Sequence, residues 1–173
     1  EADVCIAGAC AAGMTIALDL RASGLSVLLL ESGGAEQEPE VQSLSEGRMI
    51  GIDTWNIRLM RIRALGGTTG HWAGWCRPLT PQDFEARDYI ALSGWPIKYS
   101  ELVPFYRRAC ETVEIAEFDW NSVARAKASA KALLPVSRAI DQRYYQFSPP
   151  TRFGRVYSDA LAKADDVRVL TYA

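Results

Sequence analysis

Asp3-Val4-Cys5-Ile6-Ala7-Gly8-Ala9-Cys10-Ala11-Ala12-Gly13-Met14 opens the stretch that decides the fold, and Ser26-Val27-Leu28-Leu29-Leu30-Glu31-Ser32-Gly33-Gly34 closes it. Asp3 to Ala7 has the character of a short buried strand, and Gly8 to Gly13 that of a turn built from small residues. Met14 to Ala22 is expected to be helical, with Ala12, Ile16 and Leu20 on one inward stripe at i, i+4 and i+8. Ser23-Gly24 supplies a stop, because glycine takes the left-handed conformation of a C-cap. Ser26 to Leu30 is a continuous apolar strand of the kind found in parallel sheets covered on both faces. Strand, glycine turn, helix, strand and acid, in that order, make a βαβ dinucleotide-binding unit. The chemistry needs each part. A helix N-terminus offers unpaired N–H groups and a positive dipole end to a pyrophosphate. Glycines allow a tight turn and close approach, and an acid about 20 residues downstream accepts from a ribose hydroxyl. Glu31 stands 18 residues after Gly13. Gly8, Ala9, Cys10, Ala11, Gly13 and Glu31 are therefore the candidate contacts. The second glycine of the pattern is replaced by Cys10, whose side chain is expected to crowd a phosphate. A βαβ unit that binds nothing is the alternative these residues leave open.

The bulk properties narrow the class. The chain has 173 residues, about one domain's length, and enough to bury a sizeable core. With 49% hydrophobic and 23% charged residues it is a globular rather than a disordered sequence. A formal net charge of −2 gives no basic field for nucleic acid. The basic residues are scattered, Arg58, Arg61 and Arg63 being the densest group, so a polybasic membrane anchor is not expected. No apolar run reaches the roughly 20 residues that span a bilayer, so no transmembrane segment is expected. Cys5, Cys10, Cys76 and Cys110 form no closely spaced pair. That argues against a zinc site and against a disulfide framework, and for free thiols in a reducing compartment. A cytoplasmic location is expected, with the periplasm as the alternative because the sequence starts at Glu1 directly before a strand.

Residues 35 to 62 begin acidic, with Glu36, Glu38, Glu40 and Glu46, and Pro39 is expected to break any helix. A solvated connection with a short helix near Val41 to Leu44 is expected, and no chemistry is assigned to it. The most informative stretch follows: Arg63-Ala64-Leu65-Gly66-Gly67-Thr68-Thr69-Gly70-His71-Trp72-Ala73-Gly74-Trp75-Cys76-Arg77-Pro78-Leu79. Glycines at 66, 67 and 70 permit positive φ and close ligand approach, and Thr68 and Thr69 bring hydroxyls able to bond phosphate or ring heteroatoms. The bland alternative is a glycine-rich surface loop.

This segment resembles the second flavin-contacting motif of the glucose-methanol-choline family of FAD-dependent oxidoreductases. Asp83-Phe84-Glu85 follows Arg77-Pro78-Leu79 at the family's spacing. Ser93-Gly94-Trp95-Pro96-Ile97, then Leu102, Pro104, Phe105 and Tyr106, resembles its tryptophan-proline segment and the helix after it. Phe147-Ser148-Pro149-Pro150-Thr151-Arg152-Phe153-Gly154 resembles a segment of bacterial members that act on sugars. The resemblance implies an α/β fold: a Rossmann-like FAD-binding βαβ unit with an inserted, mostly helical and loop segment, and an incomplete fold. It divides the chain into residues 1–80 of the FAD domain, an inserted cap or substrate-side segment at 81–154, and a return to the FAD sheet at 155–173.

The resemblance also implies roles. Gly8, Ala9, Cys10, Ala11, Gly13 and Glu31 would hold the ADP half of FAD, while Gly66, Gly67, Thr68 and Thr69 would lie along the pyrophosphate and the ring. Arg63 would add a positive charge beside the anionic cofactor. His71-Trp72 resembles the pair through which pyranose oxidase, a family relative, bonds its flavin covalently; a noncovalent His71 is the preferred expectation. The implied reaction is hydride transfer from a CH–OH group of a sugar or other alcohol to flavin, with the electron acceptor unspecified. The family's catalytic His-His or His-Asn pair has no counterpart here, because His71 is the only histidine and sits in the cofactor loop. The chain alone is therefore expected to be inactive, with no catalytic residue of its own. A noncatalytic or relic nucleotide-binding fragment, and an FAD-containing lyase on the same scaffold, are the competing readings.

Elsewhere, Tyr99 to Val113 is expected to be a helix with Ser100 as N-cap and an apolar stripe of Leu102, Phe105, Tyr106 and Ala109. Val123 to Leu134 has the composition of a solvated helix. Tyr144, Tyr145 and Phe147 suit either a sugar pocket or a core. Ser158 to Ala164 is expected to be a short helix and Val167 to Tyr172 a strand.

Overall fold

The structure, a computed structural model, describes residues 1–52, 55–120 and 143–173. The segment expected to be helical at Val123 to Leu134 lies outside the described residues. The chain forms two compact units: Glu1–Trp72 together with Thr151–Ala173, and Ala73–Pro150. The divisions fall at 72/73 and 150/151, where the sequence reading set them at 80/81 and 154/155.

The first unit is mixed α/β. β1 (Val4–Ala7), β2 (Val27–Leu30) and β5 (Val167–Leu170) form a three-stranded sheet in the order β1-β2-β5, parallel throughout. α1 (Ala11–Leu20) connects the first two strands, so the expected strand, turn, helix and strand are all present. The register aligns Val4, Val27 and Val167 in one row and Ile6, Leu29 and Val169 in another on the same face. Against the sheet sit α1, with Met14 and Ala17 buried, and α6 (Ser158–Ala162), with Leu161 buried beside β5; α5 (Phe153–Val156) packs on α6 and on the Gly67–Gly70 turn, with Phe153 buried. Each large apolar side chain so covered contributes about 1.5–3 kcal/mol. The opposite face carries Cys5, Ala7, Leu28, Leu30, Arg168 and Leu170 and is exposed or half-buried throughout. The expectation of a sheet covered on both faces is thus met on one face only among the described residues.

α1 corrects a second expectation. Its buried residues are Gly13, Met14 and Ala17, while Ala12 is exposed and Ile16 is 48% exposed. The cause is Gly13: a Cβ built there would lie 2.0 Å from the Gly8 carbonyl oxygen, so the helix closes on the turn by its smallest side chain. That approach rotates the expected Ala12–Ile16 stripe outward. Pro39 also behaves differently. It begins α2 (Pro39–Ser43) rather than breaking it, since at the first helical position the missing N–H has no partner to lose; a one-turn helix, α3 (Ile57–Met60), follows.

The second unit centres on α4 (Tyr99–Thr112) and a two-residue antiparallel pairing of β3 (Trp75–Cys76) with β4 (Gln146–Phe147). The N-terminus of α4 is closed by Glu101, whose carboxylate accepts from the Lys98 N–H at 2.7 Å; Ser100, the expected cap, lies inside the helix. Of the expected stripe, Phe105 and Ala109 are exposed and Leu102 and Tyr106 half-buried; the buried residue of the helix is Cys110, which that stripe did not include. A chain of ring contacts runs Trp95–Phe84–Tyr99–Tyr106–Phe118–Trp120 with centroids 6.0–6.4 Å apart. These contacts are tilted, edge-on or stacked, the offset geometries that aromatic rings prefer. Trp75 meets Phe147 and Tyr145, both of them exposed.

Two outcomes test this description. Gly13→Ala is expected to lower the free energy of urea unfolding by about 3 kcal/mol, because backbone rather than a movable side chain opposes the new methyl. The second concerns Asp83, whose carboxylate accepts from the backbone N–H and hydroxyl of Thr80 and is held below its ordinary value of 3.8 by those bonds. A lowered folded-state pKa contributes stability that is present above 3.8 and lost as the pH falls from there through the folded value. Asp83→Asn should therefore lower stability in the neutral region, leave the acid end nearly unchanged, and so flatten the acid limb of a stability-against-pH curve.

Candidate functional site

Glu31 ends β2 with its side chain buried. One carboxylate oxygen accepts from the Ala9 N–H at 3.0 Å; the other accepts from the Gly33 N–H at 3.0 Å and the Ser32 hydroxyl at 3.2 Å. A carboxylate has about four acceptor positions, so three donors leave room for one more. Ser32 in turn accepts from Arg63, whose guanidinium also donates to Ser45. Arg63 is therefore placed in the network around Glu31. The acid and the glycine turn, paired by sequence spacing alone, are joined here by a direct hydrogen bond.

Cys10 is the N-cap of α1, with φ −78° and ψ −177°. That is extended backbone open to any residue, so the position does not require glycine for its conformation. The side chain is exposed and makes no capping hydrogen bond. The first-turn N–H groups of Ala11, Ala12 and Gly13 thus have no side-chain cap and remain available to an acceptor.

The second glycine stretch docks against the first. Gly66 donates its N–H to the Ala9 carbonyl at 2.8 Å, and its backbone forms a parallel bridge with Cys10. Gly66 sits at φ +85°, and a Cβ there would be 2.3 Å from the Gly154 nitrogen; one on Gly154 would be 2.2 Å from the Leu65 oxygen. Two backbones meet where neither can carry a side chain. Gly67 faces the Cys10 Cβ. From Gly67 to Gly70 the chain makes a tight single turn. Gly8, Ala9, Cys10, Ala11, Gly13, Glu31, Gly66 and Gly67, predicted from two separate stretches, are brought together in one unit.

The remaining predicted residues divide by how their side chains are used. Thr69 is buried; its hydroxyl donates to the Gly66 carbonyl at 2.7 Å and accepts from the Phe153 N–H at 3.2 Å, so it holds the loop internally. Thr68 is half-buried and His71 exposed. The Trp72 indole N–H donates to the Thr151 carbonyl at 3.0 Å. A cleft of about 340 Å³ opens beside this loop, lined by Ala64, Leu65, Gly67, Gly70, Arg152 and Gly154 among others. Its lining does not include the Gly8 to Gly13 turn.

Three further contributors lie outside the predicted cofactor contacts. Arg152 donates to the carbonyls of Thr69 and Trp72 at 2.8 and 2.7 Å and clamps both ends of the loop's second half. Gln42 is buried, donating to the carbonyls of Arg58 and Arg61 and accepting from the Arg63 N–H. Nothing in its acidic surroundings announces that role. Gly154, between Phe153 and Arg155, ends the Phe147 to Gly154 segment singled out in the sequence. In the second unit, burial pushes the thiols of Cys76 and Cys110 up, which makes them protonated packing groups rather than nucleophiles.

No family model matches this chain, and a search of the curated proteins finds no match.

Arg152→Met is expected to cost about 2 kcal/mol of stability, since it removes charge-assisted bonds to two carbonyls. Amide hydrogen exchange should quicken most in residues 66–72, and a uniform change across the first unit would contradict the assignment.

Proposed function

We propose that the first unit is the FAD-binding part, Rossmann-like in arrangement, of an oxidoreductase that acts on CH–OH groups of sugars or other alcohols. One observation carries the reading: the two glycine-rich stretches, separate in sequence, share one docked backbone surface beside the buried Glu31 carboxylate. The residues present fit the cofactor. Uncapped N–H groups at the start of α1 suit a pyrophosphate, and Glu31 retains an acceptor position for a ribose hydroxyl. The bare glycine backbones at 66 and 67 allow a flat group to approach. Cys10 takes an ordinary backbone conformation, so its effect on binding is confined to the bulk of its side chain.

In this reading Gly8, Ala9, Cys10, Ala11, Gly13 and Glu31 hold the ADP half, and Gly66, Gly67, Thr68, His71 and Trp72 lie toward the ring. Thr69, Arg63 and Arg152 position the loops. FAD, when bound, supplies the capacity to accept a hydride. The chain's own residues bind and orient it; with a single histidine, they do not include a histidine pair to take the substrate's hydroxyl proton. That same observation favours a second reading, dinucleotide binding without turnover.

The test is a visible absorption spectrum of the purified chain incubated with FAD and freed of excess, before and after acid precipitation. Yellow released to the supernatant supports noncovalent binding. Yellow retained in the pellet, and lost in His71→Ala, makes His71 a covalent anchor. A colourless protein that gains no colour in Cys10→Gly would overturn the reading. Where the wild type binds, Cys10→Gly is expected to tighten binding severalfold by relieving crowding at the phosphates.

A further inference from the structure

A continuous line of hydrogen bonds runs from α2 to the Glu31 carboxylate, and Arg63 is its middle link. The Arg63 Nε donates to the Ser45 hydroxyl at 2.9 Å and its Nη1 to the Ser32 hydroxyl at 2.8 Å. Ser32 in turn donates to Glu31 Oε1 at 3.2 Å. On its other side the Arg63 N–H donates to Gln42 Oε1 at 3.1 Å, and the Gln42 amide nitrogen donates to the carbonyls of Arg58 and Arg61. Gln42 lies in α2; Arg58 lies in α3 and Arg61 follows it. The Arg63 backbone is seated as closely: a Cβ built on Gly33 would lie 2.0 Å from the Arg63 carbonyl oxygen. Glu31 and Gln42 are buried, and Ser32 and Arg63 half-buried.

We infer that Arg63 is a positioning residue for the dinucleotide site, acting on Glu31 through Ser32, and that Gln42 holds Arg63 in place for it. This role presumes the dinucleotide reading of the Glu31 site. A serine hydroxyl rotates and has one proton to give. With the guanidinium donating to the Ser32 oxygen, that proton is left for Glu31. Without Arg63 the hydroxyl is free to turn, and the carboxylate keeps only the N–H groups of Ala9 and Gly33 as fixed donors. The acceptor position left for a ribose hydroxyl then loses its fixed direction. The planar fork matters, since two of its nitrogens reach two serines at once, which a lysine ammonium does not do in one fixed geometry. Bonds in such a line also polarise one another.

Calorimetric titration of the full chain tests the role, with FAD and with its analogue lacking the adenosine ribose 2′-hydroxyl. Arg63→Met and Ser32→Ala should each weaken FAD binding about tenfold, the loss of a hydrogen bond to a charged group. The double variant should lose no more than the larger single loss. With the deoxy analogue each loss should shrink to about twofold or less. Equal losses with both ligands, additive losses, or FAD binding unchanged in Arg63→Met overturn the inference. Amide hydrogen exchange of the ligand-free chain gives a second readout. In both variants exchange should quicken at Ala9 and Gly33, whose N–H groups bond the carboxylate, more than within β1 and β2. Unchanged exchange at those two amides overturns the inference whether or not FAD binds. A wild type that binds neither ligand overturns the dinucleotide reading instead, and the exchange result then decides by itself whether Arg63 positions Glu31.

Discussion

A buried carboxylate organises the first unit. Glu31 is buried with no cationic partner in direct contact among the described residues, a costly arrangement unless hydrogen bonds replace hydration. Here they come from the backbone of two loops, at Ala9 and Gly33, and from Ser32. Those loops leave the carboxyl ends of β1 and β2. The chain after β5 joins them, with the Tyr172 N–H on the Gly33 carbonyl and the Ala173 N–H on the Glu31 carbonyl. Three strand ends are thereby gathered at one edge, where open α/β sheets place their ligands. The buried Glu31 side chain thus shapes the loops that leave both strands.

The second determinant is the absence of side chains at three contacts. Gly13 seats α1 on the turn, and Gly66 and Gly154 bring their backbones together. Such approaches fix position more tightly than apolar packing does, because backbone cannot repack. Thr69, Arg152 and the Phe153 N–H then bind the loop to the segment that follows residue 150. The flat surface beside Cys10 is thus held from both sides by hydrogen bonds that no ligand has to provide.

The order of elements in the first unit was legible because periodicity and glycine placement speak locally. A four-residue apolar run, a small-residue turn and a terminal acid each have a meaning independent of the rest of the chain. The inward face of α1 was not legible in the same way. Choosing Ala12, Ile16 and Leu20 assumed that the larger apolar residues turn inward, whereas the close seat at Gly13 decides the rotation. Pro39 was misread because its effect depends on whether it falls inside a helix or at its first position. Thr68 and Thr69 are adjacent and chemically alike, and only the fold determines that the second turns its hydroxyl inward. Gln42 carries no sequence signal at all, since a glutamine among acids on a connection looks solvated.

The first unit is discontinuous: its sheet needs β5, which the chain supplies only after the whole of the second unit. During synthesis, β1 and β2 would emerge with one flank of the sheet unpaired, and with Gly66 waiting for Gly154. The pairing of β2 with β5 closes a long loop, the kind of contact whose entropy makes folding slow. Residues 73–150 form a continuous piece and can order themselves first. Residues 151–173 then act as a late-arriving strap, and the glycine loop acquires its final shape only when that strap has been fastened.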